Sequence, residues 1–191
     1  VDYRARGRAA PGAARPLSPL TLPDGARIDP EPVALSVPRG NGTIDLRLSR
    51  YRRGALAAQP LLLVHGMAHG GEVFTTPTVR TNLAGYFVDA GYDVWVLDHR
   101  LSSSFADLPP PDDLPRQPAS IDELGEHDVP CAVRHVYQAT GQRVAVFAHC
   151  IGAAATSMAI LHGRLAPDAP PPGESAPPPG PPDGSMVSAL V

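Results

Sequence analysis

The feature that most constrains the fold is the stretch Arg143-Val144-Ala145-Val146-Phe147-Ala148-His149-Cys150-Ile151-Gly152-Ala153-Ala154-Ala155. A short apolar run with β character stops at Ala148, a sharp turn follows, and a helix-forming run begins at once. A strand that turns directly into a helix crowds its own backbone, so positions flanking the apex must carry little or no side chain. Ala148 and Gly152 meet that requirement. Cys150 stands at the apex, expected in a strained conformation with its side chain exposed and the N–H groups of the new helix behind it. Those groups and the positive helix end favour negative charge on a thiolate or on a nearby oxyanion. This is the layout of a nucleophile elbow, with cysteine where serine is usual.

A free cysteine standing alone reads as a small buried hydrophobe. The upstream segment Pro60-Leu61-Leu62-Leu63-Val64-His65-Gly66-Met67-Ala68-His69-Gly70-Gly71 argues otherwise. Here an apolar run ends in His-Gly and opens into a Gly-rich loop. In an elbow architecture such a loop donates a second backbone N–H to an oxyanion hole. His-Gly after a strand is a weak signal by itself; paired with the elbow, in this order, it is specific.

Further segments complete the pattern: Thr81-Asn82-Leu83-Ala84-Gly85-Tyr86-Phe87, Ala90-Gly91-Tyr92-Asp93-Val94-Trp95-Val96-Leu97-Asp98-His99-Arg100 and Asp128-Val129-Pro130-Cys131-Ala132-Val133. On these residues, over roughly positions 43 to 165, the chain resembles the α/β-hydrolase superfamily. More narrowly it is similar to lipase-like hydrolases related to acid lipases, and to hydrolase modules fused behind cholesterol-oxidase-like flavoprotein domains. The resemblance implies a nucleophile at Cys150 and oxyanion donors at the backbone N–H groups of Met67 and Ile151, with His65, Gly66, His149 and Gly152 in support. It also implies the order nucleophile, acid, histidine along the chain. After Cys150 come only His162 and a few acids in a Pro-rich stretch. His162 is about three turns along the elbow helix, at ~1.5 Å per residue, too far to serve Cys150. The acid and base are therefore expected outside this sequence, and the fold is expected as a truncated, N-terminal part of an α/β hydrolase.

The other histidines are weighed against ordinary structural roles. His65 is expected to orient the oxyanion loop by hydrogen bonding. His149 is expected to point away from Cys150, because neighbours diverge at a tight turn. His69 is placed at the border of the pocket, and His99 and His135 at the surface or behind the site. Asp98 ends a strand and is expected to cap the following loop rather than touch substrate.

Alternation of strand-like and helix-like segments predicts an α/β fold, a mainly parallel sheet with flanking helices. Residues 1–40, rich in Ala, Pro, Arg and Gly, read as a linker or disordered lead-in. Residues 41–165 read as the N-terminal half of the hydrolase domain, 166–185 as a Pro-rich flexible insertion, and 186–191 as the start of a further strand. Within the domain, 43–51 alternates as a half-exposed strand, and 60–64 and 93–97 read as buried strands. Helices are expected over 77–90, closed by Gly91, over 128–140, and over 151–163. Between them, 101–120 reads as a Pro/Ser/Asp loop. The edge beside 143–148 is left open and is an aggregation risk.

With 16 basic and 19 acidic residues, a net charge of −3 gives no dedicated nucleic-acid surface. No apolar run approaches the roughly 20 residues of a membrane span, and no signal peptide is visible at the start. The two cysteines make no disulfide framework and are expected as reduced thiols, with the cytoplasm the favoured compartment. No zinc-type spacing occurs and no cofactor is expected. A dinucleotide-binding Gly-x-Gly-x-x-Gly is absent from the sequence, so any flavin would belong to a fused domain upstream. Two functions follow from the resemblance. The first is hydrolysis of an ester or thioester of a hydrophobic acyl group, the partner being a hydrophobic small-molecule or lipid ester. The alternative is a non-catalytic lipid- or steroid-handling module of a cholesterol-oxidase-like flavoprotein.

Overall fold

A computed structural model describes residues 16–40, 42–54, 58–105, 119–167, 169 and 185–191. Its frame is a six-stranded sheet of Glu31–Arg39 (β3), Gly42–Tyr51 (β4), Pro60–Val64 (β5), Asp93–Asp98 (β6), Val144–Ala148 (β7) and Val187–Leu190 (β8). Spatially the strands run β3-β4-β6-β5-β7-β8. The β6-β5-β7-β8 portion is parallel, whereas β3 and β4 add an antiparallel margin. Two short strands, Leu20–Thr21 (β1) and Arg27–Ile28 (β2), pair antiparallel outside this sheet.

Every residue of β5 and β6 is buried, because both faces of the sheet centre are covered. Successive side chains alternate between the faces. Leu62, Val64, Trp95 and Leu97 pack with Val133 and Val136 of Val129–Thr140 (α4) and with Ala155 and Ala159 of Ile151–Leu161 (α5). Leu61, Leu63, Val94 and Val96 pack on the other face with Phe74 of Glu72–Thr75 (α1), Ala84 and Val88 of Leu83–Asp89 (α2), and Leu17, Leu20 and Leu22. Each buried Leu, Val or Phe among them contributes about 1.5–3 kcal/mol relative to exposure.

Several expectations are corrected. Residues 1–15 lie outside the described residues, but 16–40 is not a linker. It forms β1, β2 and β3 and puts Leu17, Leu20, Leu22, Leu35 and Val37 into the core. Pro32 and Pro38 mask the Val33, Leu35, Val37 alternation in the sequence, yet an edge strand admits proline because part of its N–H ladder has no partner. The alternation of β4 holds only at its start. Leu46, Arg47, Leu48 and Ser49 are all buried, because Arg47 finds a buried counter-ion.

The helix expected from 77 begins at Leu83, where the Asn82 side chain accepts the Gly85 N–H at 2.8 Å. Gly91 follows it at φ +90°, as a helix stop requires. The helix expected from 128 starts earlier. Ser120 and Glu123 form a capping box at Ile121–Glu123 (α3), and one wide π turn, Leu124–Asp128, leads into α4. Residues 106–118 of the expected loop lie outside the described residues, as do 168 and 170–184 of the expected insertion. β8 pairs with β7 and covers the edge that the sequence reading left open.

Candidate active site

The two loops that follow β5 and β7 meet at the carboxyl ends of these adjacent parallel strands. Cys150 occupies the turn between β7 and α5 with φ +56° and ψ −120°. Away from glycine this backbone region is sparsely populated and costs energy, of order 1–3 kcal/mol, so the surroundings must enforce it. Gly152 shows how. A Cβ there would lie 2.7 Å from the His65 carbonyl oxygen and 2.9 Å from Val64 Cγ1, so only glycine lets α5 start this close to β5. The Cys150 side chain is exposed at the start of α5, as the elbow reading expects.

Gly66 makes the second close approach. A Cβ at Gly66 would meet Cys150 Cβ at 3.1 Å and His149 Nδ1 at 3.1 Å. His149 therefore lies with its ring beside the loop that follows β5. Its N–H donates to the Val64 carbonyl at 3.0 Å, extending the β5–β7 ladder, and its ring falls over a residue without a side chain. Among the described residues, neither the Met67 N–H nor the Ile151 N–H donates to a carbonyl oxygen. The loop tip carries the left-handed Ala68 at φ +59° and is closed by a 2.8 Å bond between His69 Nδ1 and the Met67 carbonyl.

Beneath the loop, His65 and His99 are fully buried and stacked, with ring centroids 3.9 Å apart. His65 Nδ1–H donates to the Gly66 carbonyl at 2.7 Å. His99, expected at the surface or behind the site, is buried beneath the β5 loop. Its Nδ1 accepts the Leu101 N–H and its Nε2–H donates to the His65 carbonyl at 3.1 Å. Burial, and then the adjacent His65 ring, push His99 down to about 4. Burial likewise lowers His65. Both rings are thus neutral near neutral pH.

Asp98, also fully buried, sits 3.7 Å from His65 Nε2. It accepts from Arg47 Nε at 2.8 Å, the Gly71 N–H at 2.7 Å, Ser102 Oγ at 2.7 Å and Ser104 Oγ at 3.1 Å. Burial alone would raise this carboxyl, but Arg47, the Gly71 N–H and Ser102 outweigh it and hold it below the ordinary carboxylate value. Sequence reading missed Arg47, Ser102 and Ser104. No local signal marked them, because Arg47 stands at a polar position of the alternating strand and the serines stand in a polar loop.

The remaining candidates lie elsewhere. His162, past the end of α5, bonds Glu126 at 2.5 Å, and His135 packs edge-on against Trp95. His65 Nδ1, His69 Nδ1, His162 Nδ1 and both ring nitrogens of His99 are thus engaged away from Cys150. Cys131 is half-buried on α4 and, like Cys150, a free thiol. It borders a cavity of about 160 Å³ with Leu35, Arg134 and Arg164, which does not reach Cys150. Among the described residues no cluster suited to a metal ion occurs, and no helix is long and apolar enough to cross a membrane.

No family model matches the chain. A 97-residue stretch is 31% identical to Lipase 1 of Drosophila melanogaster, covering 49% of this chain and 22% of that protein. An esterase from Thermogutta terrifontis superposes with a TM-score of 0.52 at 16% identity, over 84% of this chain and 52% of that one. An epoxide hydrolase from Vigna radiata is a looser likeness, with a TM-score of 0.42, 21% identity, and coverage of 70% and 34%. The chain therefore spans about half the length of the esterase or less of the other relatives. The architecture is that of the α/β hydrolases, present in part.

Proposed function

We propose that this partial α/β-hydrolase fold carries a thiol-based acyl-transfer site with Cys150 as nucleophile. The observation that carries the reading is the strained backbone of Cys150, enforced by Gly152 and set against Gly66. Nothing in ordinary packing asks for a non-glycine residue at positive φ with an exposed thiol at a helix start. In the proposed step the Cys150 thiolate attacks the carbonyl carbon of an ester or thioester. The carbonyl π electrons move to oxygen, and the N–H groups of Ile151 and Met67 stabilise the oxyanion. The oxyanion collapses, the alkoxide or thiolate leaves and is protonated from water, and the acyl group stays on sulfur. The relatives' names, lipase and esterase, support a carboxylic ester of a hydrophobic acyl group as substrate, and Met67, 56% exposed at the loop tip, offers an apolar contact.

Release of the acyl group needs a base to activate water. No histidine or carboxylate bonds the Cys150 sulfur among the described residues. Acylation is therefore expected to outrun deacylation, since loss of a nucleophile's partners costs orders of magnitude in turnover. That same observation favours the second reading, a lipid- or steroid-handling module that binds without cleaving.

Mixing the protein with p-nitrophenyl butyrate and mapping adducts by mass spectrometry tests the proposal. Expected are one equivalent of nitrophenolate, a single butyryl group on Cys150, little steady turnover, and loss of the burst in Cys150→Ala. A folded protein whose Cys150 takes iodoacetamide but never the butyryl group belongs to the binding reading.

A further inference from the structure

One segment, Asp98–Ser104, holds most of the oxyanion loop. His99 Nε2–H reaches the His65 carbonyl at the loop's start, the Ser103 N–H donates to the His69 carbonyl at 2.9 Å, and Asp98 accepts the Gly71 N–H at the loop's end. The tip between these anchors, Met67 and Ala68, is exposed, with the Met67 carbonyl bonded within the loop by His69 Nδ1. Its place is set by its ends. Asp98 is the only group in the segment that ties the loop to the sheet through charge. Its other oxygen is taken by Arg47, so the carboxylate is fixed in orientation before it meets Gly71. Packing confirms the closeness: a Cβ at Gly71 would stand 3.1 Å from Asp98 Oδ2 and 2.6 Å from Val96 Cγ1.

We propose that Asp98 is a positioning residue for acyl transfer at Cys150, acting through the Gly71 N–H to fix the loop that presents the Met67 N–H to the oxyanion. The proposal rests on the acyl-transfer reading above. A donor stabilises developing charge only if it is already in place, because reorganisation during the reaction cancels the gain. Arg47 has a second role in this arrangement. A bare carboxylate beneath the site would oppose an oxyanion, and the guanidinium neutralises it. Ser102 and Ser104 occupy further acceptor capacity of Asp98, so the Gly71 bond is one of a closed set rather than a single tether.

The test compares two reactions of the same thiol. Acylation by p-nitrophenyl butyrate passes through an oxyanion, whereas alkylation by iodoacetamide does not. In Asp98→Asn, acylation of Cys150 is expected to fall roughly tenfold or more, in line with the ~10²–10³ cost of losing one oxyanion donor outright. Alkylation is expected to stay within about twofold, since the elbow is untouched. Because Asp98→Asn strands a buried arginine, Ser102→Ala is measured alongside it. This change removes one bond to Asp98 without changing charge and is expected to give a smaller drop of the same kind. Equal acylation-to-alkylation ratios in wild type and in the folded variants overturn the role of Asp98 and leave the acyl-transfer reading standing. Failure of wild-type Cys150 to acylate at all overturns both.

Discussion

At the scale of single residues, backbone space and buried imidazoles govern the site. Gly152 is the most demanding position, because the atoms a methyl group would strike include the carbonyl oxygens of Val64 and His65, backbone groups at the end of β5 that cannot rotate away as a side chain could. Gly152→Ala is expected to lower stability by about 1–3 kcal/mol through overpacking. Urea unfolding would show it as a lower midpoint with an unchanged slope; an unchanged midpoint would mean that α5 can shift freely. His99 makes the fold sensitive to acid. Its ring titrates near about 4 in the native state and near ~6.5 unfolded, so between these values only the unfolded chain holds the proton. Stability therefore rises with pH across the window and falls as pH drops from about 6.5 towards 4. Between pH 7 and pH 5 the loss attributable to His99 is roughly 2 kcal/mol, and His65, lowered by burial as well, adds to it in the same sense. Unfolding free energies of wild type and His99→Gln at the two pH values check this. The variant keeps a donor for the His65 carbonyl and should lose much of the pH dependence, and parallel pH curves would refute the assignment.

Between elements, buried ion pairs rather than apolar contacts alone set the angles. Arg100, just beyond β6, reaches Asp128 at the π turn ahead of α4, with Nη2 to Oδ1 at 2.7 Å and the Arg100 backbone N–H to Oδ2 at 3.0 Å. The Arg100 side chain is 1% exposed and that of Asp128 is fully buried. The π turn rotates Asp128 to where a continuous α-helix would not put it, and Gly125 within the turn lets α5 approach, its virtual Cβ lying 3.1 Å from the Ala155 carbonyl. Asp128→Leu leaves a buried guanidinium without its main counter-charge. It is expected to cost about 3 kcal/mol, the low end for a broken buried pair, because Glu123 still pairs Arg100. Arg100→Met combined with Asp128→Leu should recover most of that loss, since the remaining Glu123 side chain has access to water. A double variant no more stable than the single one would mean that the pair sets the fold rather than merely avoiding an unpaired charge. Thermal melts of the three proteins decide between these outcomes.

For the molecule as a whole, what was legible in the sequence was what is local. β5 is an unbroken apolar run, β6 is one between two aspartates, and the elbow shows itself by small residues packed into one turn, so a window of about six residues carries each. What escaped depends on distant partners. Arg47 reads as an exposed strand residue until Asp98, 51 positions away, lies beside it. His99 reads equally as surface or as a residue behind the site until the β5 loop folds over it, and Pro32 and Pro38 hide β3 until it is known to be an edge. The Ser120-x-x-Glu123 capping signal was present but stood inside a stretch whose prolines and aspartates pointed to loop. The same dependence on neighbours governs the far margin of the sheet. β8 runs parallel to β7 with Ser188, Ala189 and Leu190 exposed, and among the described residues no strand pairs with its other side. An exposed margin of unpaired N–H and C=O groups without charge is a template for strands of other molecules, and natural sheets block it with charge. This margin carries none at 187–191. Self-association is therefore expected to rise with concentration and to fall when Leu190→Lys places a charge on the edge. Sedimentation velocity across a dilution series reads both effects. The prediction fails if wild type stays monomeric at high concentration, or if the lysine leaves association unchanged, because the contact would then lie on another surface.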